Sequence, residues 1–405
     1  MNKIIVIGGG AAGFFGAIHA TSHSNNVTIL EAGKEVLTKV KISGGGRCNV
    51  THHCFDVPQL VQNYPRGNKA LRGAFSRFQP RHTIEWFQNH GVILKTEADG
   101  RMFPITDDSQ TIVSCLMNVA ERSGIKIRTQ AQVIGIKSLG EFFELKLKTG
   151  ETLNADRVLL ATGSSPQGFK LAQQLGHKII PPVPSLFTFA IKDSKLQELA
   201  GVSLDPVTVN MLDIKLSQTG ALIFTHWGLS GPAILKLSAW GARELYERNY
   251  TIPIGINWLP KLTIDDICSC LQNLRHTKKQ ISSNPQFNLP KRLWQFLTDR
   301  AGITSEQKWA ELSKQNLKEL SQQLHQCNFE VTGKGVFKEE FVTCGGVDLT
   351  EIECKTMSSK LIKNCYFAGE ILDIDGITGG FNFQNAWTTG FLAGTAIRSG
   401  GQHPS

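Results

Sequence analysis

The sequence predicts an α/β fold in which a Rossmann-like, doubly wound parallel sheet is interrupted by an inserted, mostly β region with helices of its own. Three observations predict it. The apolar run Ile4 to Ile7 leads directly into Gly8-Gly9-Gly10-Ala11-Ala12-Gly13 and a helix pattern through Ala20. Near the other end, the apolar run Cys365 to Ala368 also stops in glycine, and a helix pattern follows from Phe381 to Ile397. Between them, after the stiff Pro181-Pro182-Val183-Pro184, the composition turns to short alternating strands and then to helix.

Taken in order, Gly8, Gly10 and Gly13 form a G-x-G-x-x-G turn between a strand and a helix. There glycines allow a tight bend, close approach of backbone to a diphosphate, and close packing of helix on sheet. The next strand, Val27 to Leu30, ends in Glu31. A carboxylate there accepts from both ribose hydroxyls and repels a 2′-phosphate, which favours FAD or NAD over NADP. Lys39 to Asn49 then brings Gly44, Gly45 and Gly46 beside Arg47 and Asn49, a loop suited to cradling an anion with backbone donors and a guanidinium. Cys48 is expected to pack beside the cofactor, because no C-x-x-C spacing suggests dithiol chemistry.

Residues 57 to 84 carry Arg66, Lys69, Arg72, Arg77 and Arg81 without an acid. Lys126 to Val133 and Glu144 to Leu147 alternate like strands of a small antiparallel excursion, and Arg157 to Ala161 is a buried strand running into Thr162 and Gly163. In doubly wound sheets such strand ends gather at the ligand crevice.

In the middle, Phe187 to Ile191, Val207 to Ile214, Ala221 to Phe224, Tyr250 to Ile256 and Phe329 to Thr332 read as strands of a small sheet or barrel. Thr263 to Gln326 reads as helix with an excess of Lys and Arg, including a basic run at 275 to 292. His226 and Trp227 are the residues here best suited to proton transfer and to stacking on a flat substrate. Ser230 and Pro232 suit the start of a helix over Ala233 to Ala239. In the final segment, Ala386, Gly390, Ala393 and Gly394 make a small-residue helix face on which a flat ring or another backbone can lie close. The glycine pair Gly379-Gly380 before this helix leaves first-turn N–H groups and the positive dipole end facing outward, a setting for a ring that becomes anionic on reduction.

Of 405 residues, 41% are hydrophobic and 19% charged, enough for a large core in two or three units, and the net charge of +9 favours anionic partners. No apolar run approaches the roughly 20 residues of a membrane helix, and the start lacks a secretory signal, so a cytoplasmic location is expected. Nine scattered cysteines fit a reducing compartment, and no metal-ligand spacing is present.

The chain resembles the BaiN/RdsA family of FAD-dependent oxidoreductases, which includes aminoacetone-oxidase-like enzymes. The resemblance rests on IIVIGGGAAG at the start, KISGGGRCNVTH at 41 to 52, FTHWGLSGPAIL at 224 to 235, and VTCGGVDLTEIECKTMSSK followed by YFAGEILDIDGITGGFNFQNAWTTGFLAG. It implies a discontinuous FAD domain (1–186 and 343–405), a β-barrel insertion (187–257 and 328–342) and a helical subdomain (258–327). It implies that Gly8, Gly10 and Gly13 face the diphosphate and Glu31 the adenosine ribose. Residues 44 to 49 would run along the cofactor, Glu370 and Asp373 would approach the ribityl chain or phosphates, and Gly379 to Asn382 would meet the flavin's pyrimidine edge. The expected cofactor set also includes Ala12, Lys39, Val133, Ala161, Thr162, Gly163, Gly369 and Phe381.

The function expected is an FAD-dependent oxidoreductase in which NAD(P)H, a transient donor without a dedicated domain of its own, reduces tightly held FAD and the flavin reduces an organic acceptor. Relatives imply three acceptors: an activated C=C bond of a small molecule, oxygen during amine oxidation, or the uracil ring of ribosomal RNA. The basic runs favour the RNA somewhat. The alternative of another class is a ribosome-associated FAD-binding module without turnover.

Overall fold

The computed structural model describes residues 1–335 and 342–400. It contains two compact units, Met1–Val183 with Val342–Ser405, and Pro184–Phe341. Residues 336–341, part of the expected barrel segment 328–342, lie outside the described residues, as do 401–405.

The first unit is built on a seven-stranded sheet. Its parallel part runs, in spatial order, Cys365–Phe367, Arg157–Leu160, Asn2–Ile7, Asn25–Leu30 and Lys126–Arg128. The short strands Ser358–Ser359 and Ile352–Glu353 extend it antiparallel beyond Cys365–Phe367. Near-continuous apolar runs such as Ile4 to Ile7 are what a sheet covered on both faces demands, and these four side chains are all buried. A strand from near the end of the chain is thus separated from the first strand by Arg157–Leu160 alone, and both end at the same edge.

One expectation is corrected here. Lys126 to Val133 is not one strand of an antiparallel excursion. Lys126–Arg128 follows the helix Gln110–Arg122 and joins the parallel sheet beside Asn25–Leu30, as a strand–helix–strand crossover requires. The chain then turns at Gln130, φ 54°, where Gln130 and Ala131 donate to the carbonyls of Gly33 and Glu31 at 2.8 Å each. Only after this turn does Val133–Ser138 start a three-stranded antiparallel sheet with Phe143–Leu147 and Thr152–Ala155. The proline-rich joint is likewise part of a strand, Ile179–Ser185, paired with Val342–Val347.

The small-residue face of the last helix, Phe381–Arg398, has a definite partner. It packs on the first helix, Ala11–Ala20, backbone against backbone. A Cβ at Gly390 would stand 2.8 Å from the Ala12 carbonyl oxygen, and one at Gly394 would stand 2.3 Å from that of Gly16. Of the two occupants the sequence allows, a flat ring or another backbone, this face takes the backbone.

The second unit carries a seven-stranded antiparallel sheet in the order Cys327–Val331, Ile252–Asn257, Ser203–Met211, Leu216–Thr225, Gly228–Ser230, Phe189–Ala190 and Gly333–Lys334. The helices Ile264–Asn273, Lys291–Arg300 and Lys314–His325 share one apolar core with it, centred on Trp258, Trp294 and Trp309. Ser230 belongs to a strand, and the residue that caps helix Pro232–Trp240 is Gly231, φ 97°, a backbone setting that suits glycine. Among the described residues no helix is long and apolar enough to cross a membrane, and no group of three or more His, Cys, Asp or Glu side chains could hold a metal.

Candidate active site

The C-terminal edge of the parallel sheet in the first unit gathers most of the residues singled out from the sequence. Gly8 has φ 110°, and a Cβ there would lie 2.4 Å from the Ala161 carbonyl oxygen; at Gly13 it would lie 2.0 Å from the Gly8 carbonyl oxygen. Gly8 is imposed by the chain leaving the neighbouring strand, and Gly13 by the close packing of the helix on the glycine turn. Gly10 is different. It caps the first helix without a side-chain hydrogen bond, and a Cβ there would meet nothing within 4 Å. A helix N-terminus with open space in front of it is a donor site for a phosphate.

Glu31 closes this turn from the next strand. Its Oε2 accepts from Gly9 N–H and its Oε1 from Gly33 N–H, both at 2.7 Å. A carboxylate has about four acceptor positions, so each oxygen keeps capacity for a hydroxyl. Val133, buried, begins its strand three residues after the Gln130 turn that hangs on Gly33. On the opposite side, Thr162 follows strand Arg157–Leu160, and its Oγ1 is buried without a hydrogen-bond partner among the described residues. A buried hydroxyl left in this state points to a polar group that completes it.

The loop at 43 to 49 breaks its helix. Ser43 is extended, and Gly44, Gly45 and Gly46 have φ of 59°, 69° and 85°. Open space surrounds the Cβ positions of Gly45 and Gly46. Arg47 turns its guanidinium to Glu97 (2.6 Å) and Asp107 (3.5 Å), stacked over Phe103 at 4.0 Å. The donors this loop retains for an anion are therefore backbone N–H groups. Cys48 is fully buried and its thiol is pushed up to about 12 by burial, which makes it a packing residue.

The last third of the chain closes the same edge. Lys39 donates to Glu370 at 2.9 Å, and Glu370 also accepts from Thr343 N–H at 3.1 Å. Gly369, φ 78°, abuts Ala12, whose methyl would lie 2.8 Å from an added Cβ. Asp373 donates its N–H to the Val347 carbonyl at 3.1 Å. In the orientation that satisfies its neighbours, the Asn49 amide donates to the Thr51 carbonyl at 3.0 Å and accepts from Gly380 N–H at 2.9 Å. His52 donates from Nδ1 to the Gly379 carbonyl at 2.9 Å and stacks on Phe381, with centroids 4.6 Å apart. Asn382 uses both ends of its amide on the backbone of Gly376, at 2.8 Å each. The side chains of Phe381 and Asn382 thus shape the turn. What the turn presents is the start of the last helix, where Gly380 supplies no side-chain cap.

Three sets of contacts were not anticipated from the sequence, which offered Arg66 only as a member of a basic run. Arg66 grips the fully buried Asp375 with Nε at 2.6 Å and with Nη2. Burial lowers the Arg66 pKa, but the Asp375 charge and hydrogen bonds outweigh it, so the net shift is upward. Gln384, buried, accepts from Thr51 at 2.6 Å and Thr83 at 2.9 Å and donates to Thr388 at 3.0 Å. Thr389 accepts from Gly369 N–H at 2.8 Å. The available signal was the group of polar residues, Gln384, Asn385, Thr388 and Thr389, interleaved with Phe383, Ala386, Trp387 and Phe391.

His226 and Trp227 belong to the second unit. They form the two-residue turn between strands Leu216–Thr225 and Gly228–Ser230; His226 is exposed, and Trp227 Nε1 donates to Thr188 at 3.4 Å.

The family described as HI0933-like protein Rossmann domain matches residues 2–396. The chain is 30% identical over 397 residues, 95% of each chain, to the ribosomal RNA dihydrouridine synthase of Escherichia coli strain K12. It is 29% identical over 411 residues to the 3-dehydro-bile acid delta(4,6)-reductase of Clostridium scindens, covering 98% of this chain and 99% of that one. Among solved structures, 3-ketosteroid delta1-dehydrogenase from Sterolibacterium denitrificans aligns over 99% of this chain and 100% of its own, with a TM-score of 0.54 at 10% identity, a likeness of fold.

Proposed function

Because the chain belongs to the HI0933-like family of FAD-dependent oxidoreductases, we propose that it is an FAD-dependent reductase driven by NADH or NADPH, whose acceptor is a uracil ring in ribosomal RNA. The observation that carries the cofactor reading is the open cradle in front of Gly10, Gly45 and Gly46, bordered by Glu31 and by the orphaned Thr162 hydroxyl. When bound, FAD supplies hydride transfer; the protein supplies binding, orientation and electrostatics.

In this reading the first-turn N–H groups behind Gly10 hold the diphosphate, and Glu31 takes the ribose hydroxyls while keeping its two backbone donors. Thr162 Oγ1 gains its missing partner from the cofactor. Lys39 and Glu370 join the two chain ends beside the cradle, and the Asn49–Gly380 and His52–Gly379 bonds hold the start of the last helix in place. The positive end of that helix favours negative charge in front of it, which stabilises an electron-rich ring system.

The choice of acceptor rests on the net charge of +9 together with the activity in the name of the Escherichia coli relative. A second reading, reduction of a conjugated C=C bond in a small molecule, is favoured by the Clostridium scindens relative. Anaerobic mixing of the purified yellow protein with NADH and NADPH, followed by mass spectrometry of ribosomal RNA from a deletion strain and its parent, tests the proposal. Bleaching of the flavin and loss of one dihydrouridine in the deletion strain are expected. Identical RNA in the two strains, with turnover of a small enone by the pure protein, transfers the assignment to the second reading. A colourless protein that takes up no added FAD sinks both.

A further inference from the structure

Two basic runs stand out in the sequence, and their side chains meet different fates. In the run 66 to 81, Arg66 is held by buried Asp375, Arg77 donates to the Lys355 carbonyl at 2.9 Å, and Arg81 lies over the Phe55 ring at 5.7 Å. Three of the five cations of that run are so engaged within the first unit, and Lys69 and Arg72 are exposed. The second run belongs to a longer stretch, Ile267 to Thr298, that contains five Lys or Arg and no Asp or Glu.

Arg292 donates to the Glu198 and Ala200 carbonyls at 3.0 and 3.3 Å, but at 275 to 281 the backbone is fixed and the charge is outward. Residues 277 to 281 run alongside 307 to 310: Ile281 N–H donates to the Gln307 carbonyl at 2.9 Å, Trp309 to Lys279 at 3.1 Å and Ala310 to Thr277 at 3.2 Å. Gln280 and Lys308 face each other in an antiparallel bridge. The ribbon is anchored from below by Ile281 and Trp309, both fully buried, and by Trp294, whose Nε1 donates to the Ile281 carbonyl at 2.7 Å. Above it His276, Lys278 and Lys279 are exposed and Arg275 is half-buried. Elsewhere in this unit Lys195, Arg248 and Arg300 pair with Asp299, Asp213 and Asp193. Among the described residues, Arg275, Lys278 and Lys279 pair with no carboxylate. The nearby acid Glu311 folds back onto the Lys308 N–H at 3.2 Å, and Glu306 lies in the exposed turn before the returning segment.

Unpaired like charges on a rigid ribbon repel one another and gain nothing for folding, whereas a chain of phosphates relieves that repulsion and releases its counterions. We propose that the ribbon formed by Arg275, Lys278 and Lys279 docks the sugar–phosphate backbone of RNA. The proposal rests on the RNA reading above and adds where the RNA is held. It assigns no sequence recognition to these residues, since phosphate contacts position a nucleic acid and base contacts specify it.

The test is a salt series of fluorescence anisotropy titrations, with labelled single-stranded oligouridylate and with deproteinised ribosomal RNA as probes. Three flavin-loaded proteins are compared: wild type, the ribbon variant R275Q/K278Q/K279Q, and the control K137Q/K146Q/K170Q. The control carries the same charge change on exposed positions of the first unit. The ribbon variant is expected to bind both probes roughly 10- to 100-fold more weakly near physiological salt, with a log–log salt slope lower by about 2 to 3. Its flavin absorbance and its reduction by NAD(P)H should remain those of wild type, which establishes that it folds. Wild-type affinity and slope in the ribbon variant overturn the ribbon and leave the RNA reading standing. An equal loss in the control variant also overturns it, because net charge then suffices. Absence of salt-dependent binding by wild type overturns the ribbon and the RNA acceptor together.

Discussion

Replacing Gly394 by alanine sets two physical effects against each other, and the contact between the first and last helices decides the sign. Alanine is the better helix former by about 1 kcal/mol, so a glycine on an open helix face gains stability when replaced. At Gly394 the added methyl would stand 2.3 Å from the Gly16 carbonyl oxygen, 2.8 Å from His19 Cβ and 3.1 Å from Ala20 N. The nearest atom is backbone and cannot rotate away, so the helices must separate by about 1 Å to restore van der Waals distance. Overpacking of this kind costs about 1–3 kcal/mol. The expected net effect is a loss of up to about 2 kcal/mol, which lowers the melting midpoint by up to a few degrees. Gly73, within helix Asn68–Arg77, is the matched control: an added Cβ there meets nothing within 4 Å. G73A should therefore raise the midpoint while G394A lowers it. Calorimetry on both flavin-loaded variants checks this. Separation at Gly394 also disturbs Ala12 against Gly369, so G394A should release flavin faster on dilution. A G394A protein that melts at or above wild type would refute the packing argument.

Other expectations follow from single contacts. E31A removes the acceptor for Gly9 and Gly33 N–H and should weaken FAD binding at least tenfold, read from flavin fluorescence on titration. Arg66→Met removes the guanidinium from the buried Asp375 carboxylate and should cost about 3–5 kcal/mol in thermal stability, whereas an exposed Lys69→Met should be near neutral. T389V leaves Gly369 N–H without its acceptor and should cost about 1–3 kcal/mol. His19 is pushed down from 6.5 to about 4, chiefly by burial and partly offset by its bond to the Phe15 carbonyl. Its contribution is therefore present above pH 6.5 and lost as pH falls towards 4, up to about 3 kcal/mol; the loss should be absent in an H19Q variant followed by pH-dependent unfolding.

Strands at 4–7, 27–30, 157–161 and 365–368 are readable because a strand covered on both faces must be apolar throughout, whatever its neighbours. The glycine turn at 8 to 13 and Glu31 are readable because a strand, a glycine bend, a helix and an acid at this spacing serve one purpose. The resemblance to a family of flavin oxidoreductases rests on such local signals in order. Alternation alone did not show that Lys126–Arg128 and Val133–Ser138 lie in different sheets. That depended on the Gln130 turn, held by backbone bonds to Gly33 and Glu31 from a distant segment.

Side-chain partners were the other limit. Arg47 is a free guanidinium in sequence but meets Glu97 and Asp107 in space, and Asn382 closes on Gly376. The small-residue face of the last helix admitted either a ring or a backbone, and the packing of the first helix against it selects the backbone. The two basic runs look alike as strings of charge, yet Arg66, Arg77 and Arg292 are drawn into Asp375 and carbonyl contacts while Lys278 and Lys279 stay outward. Local pattern by itself determined which segments become strands, helices and glycine turns, because backbone sterics and burial act within a few residues. Tertiary structure alone decided which charges are neutralised and which surfaces remain open, because those depend on partners tens to hundreds of positions away in the chain.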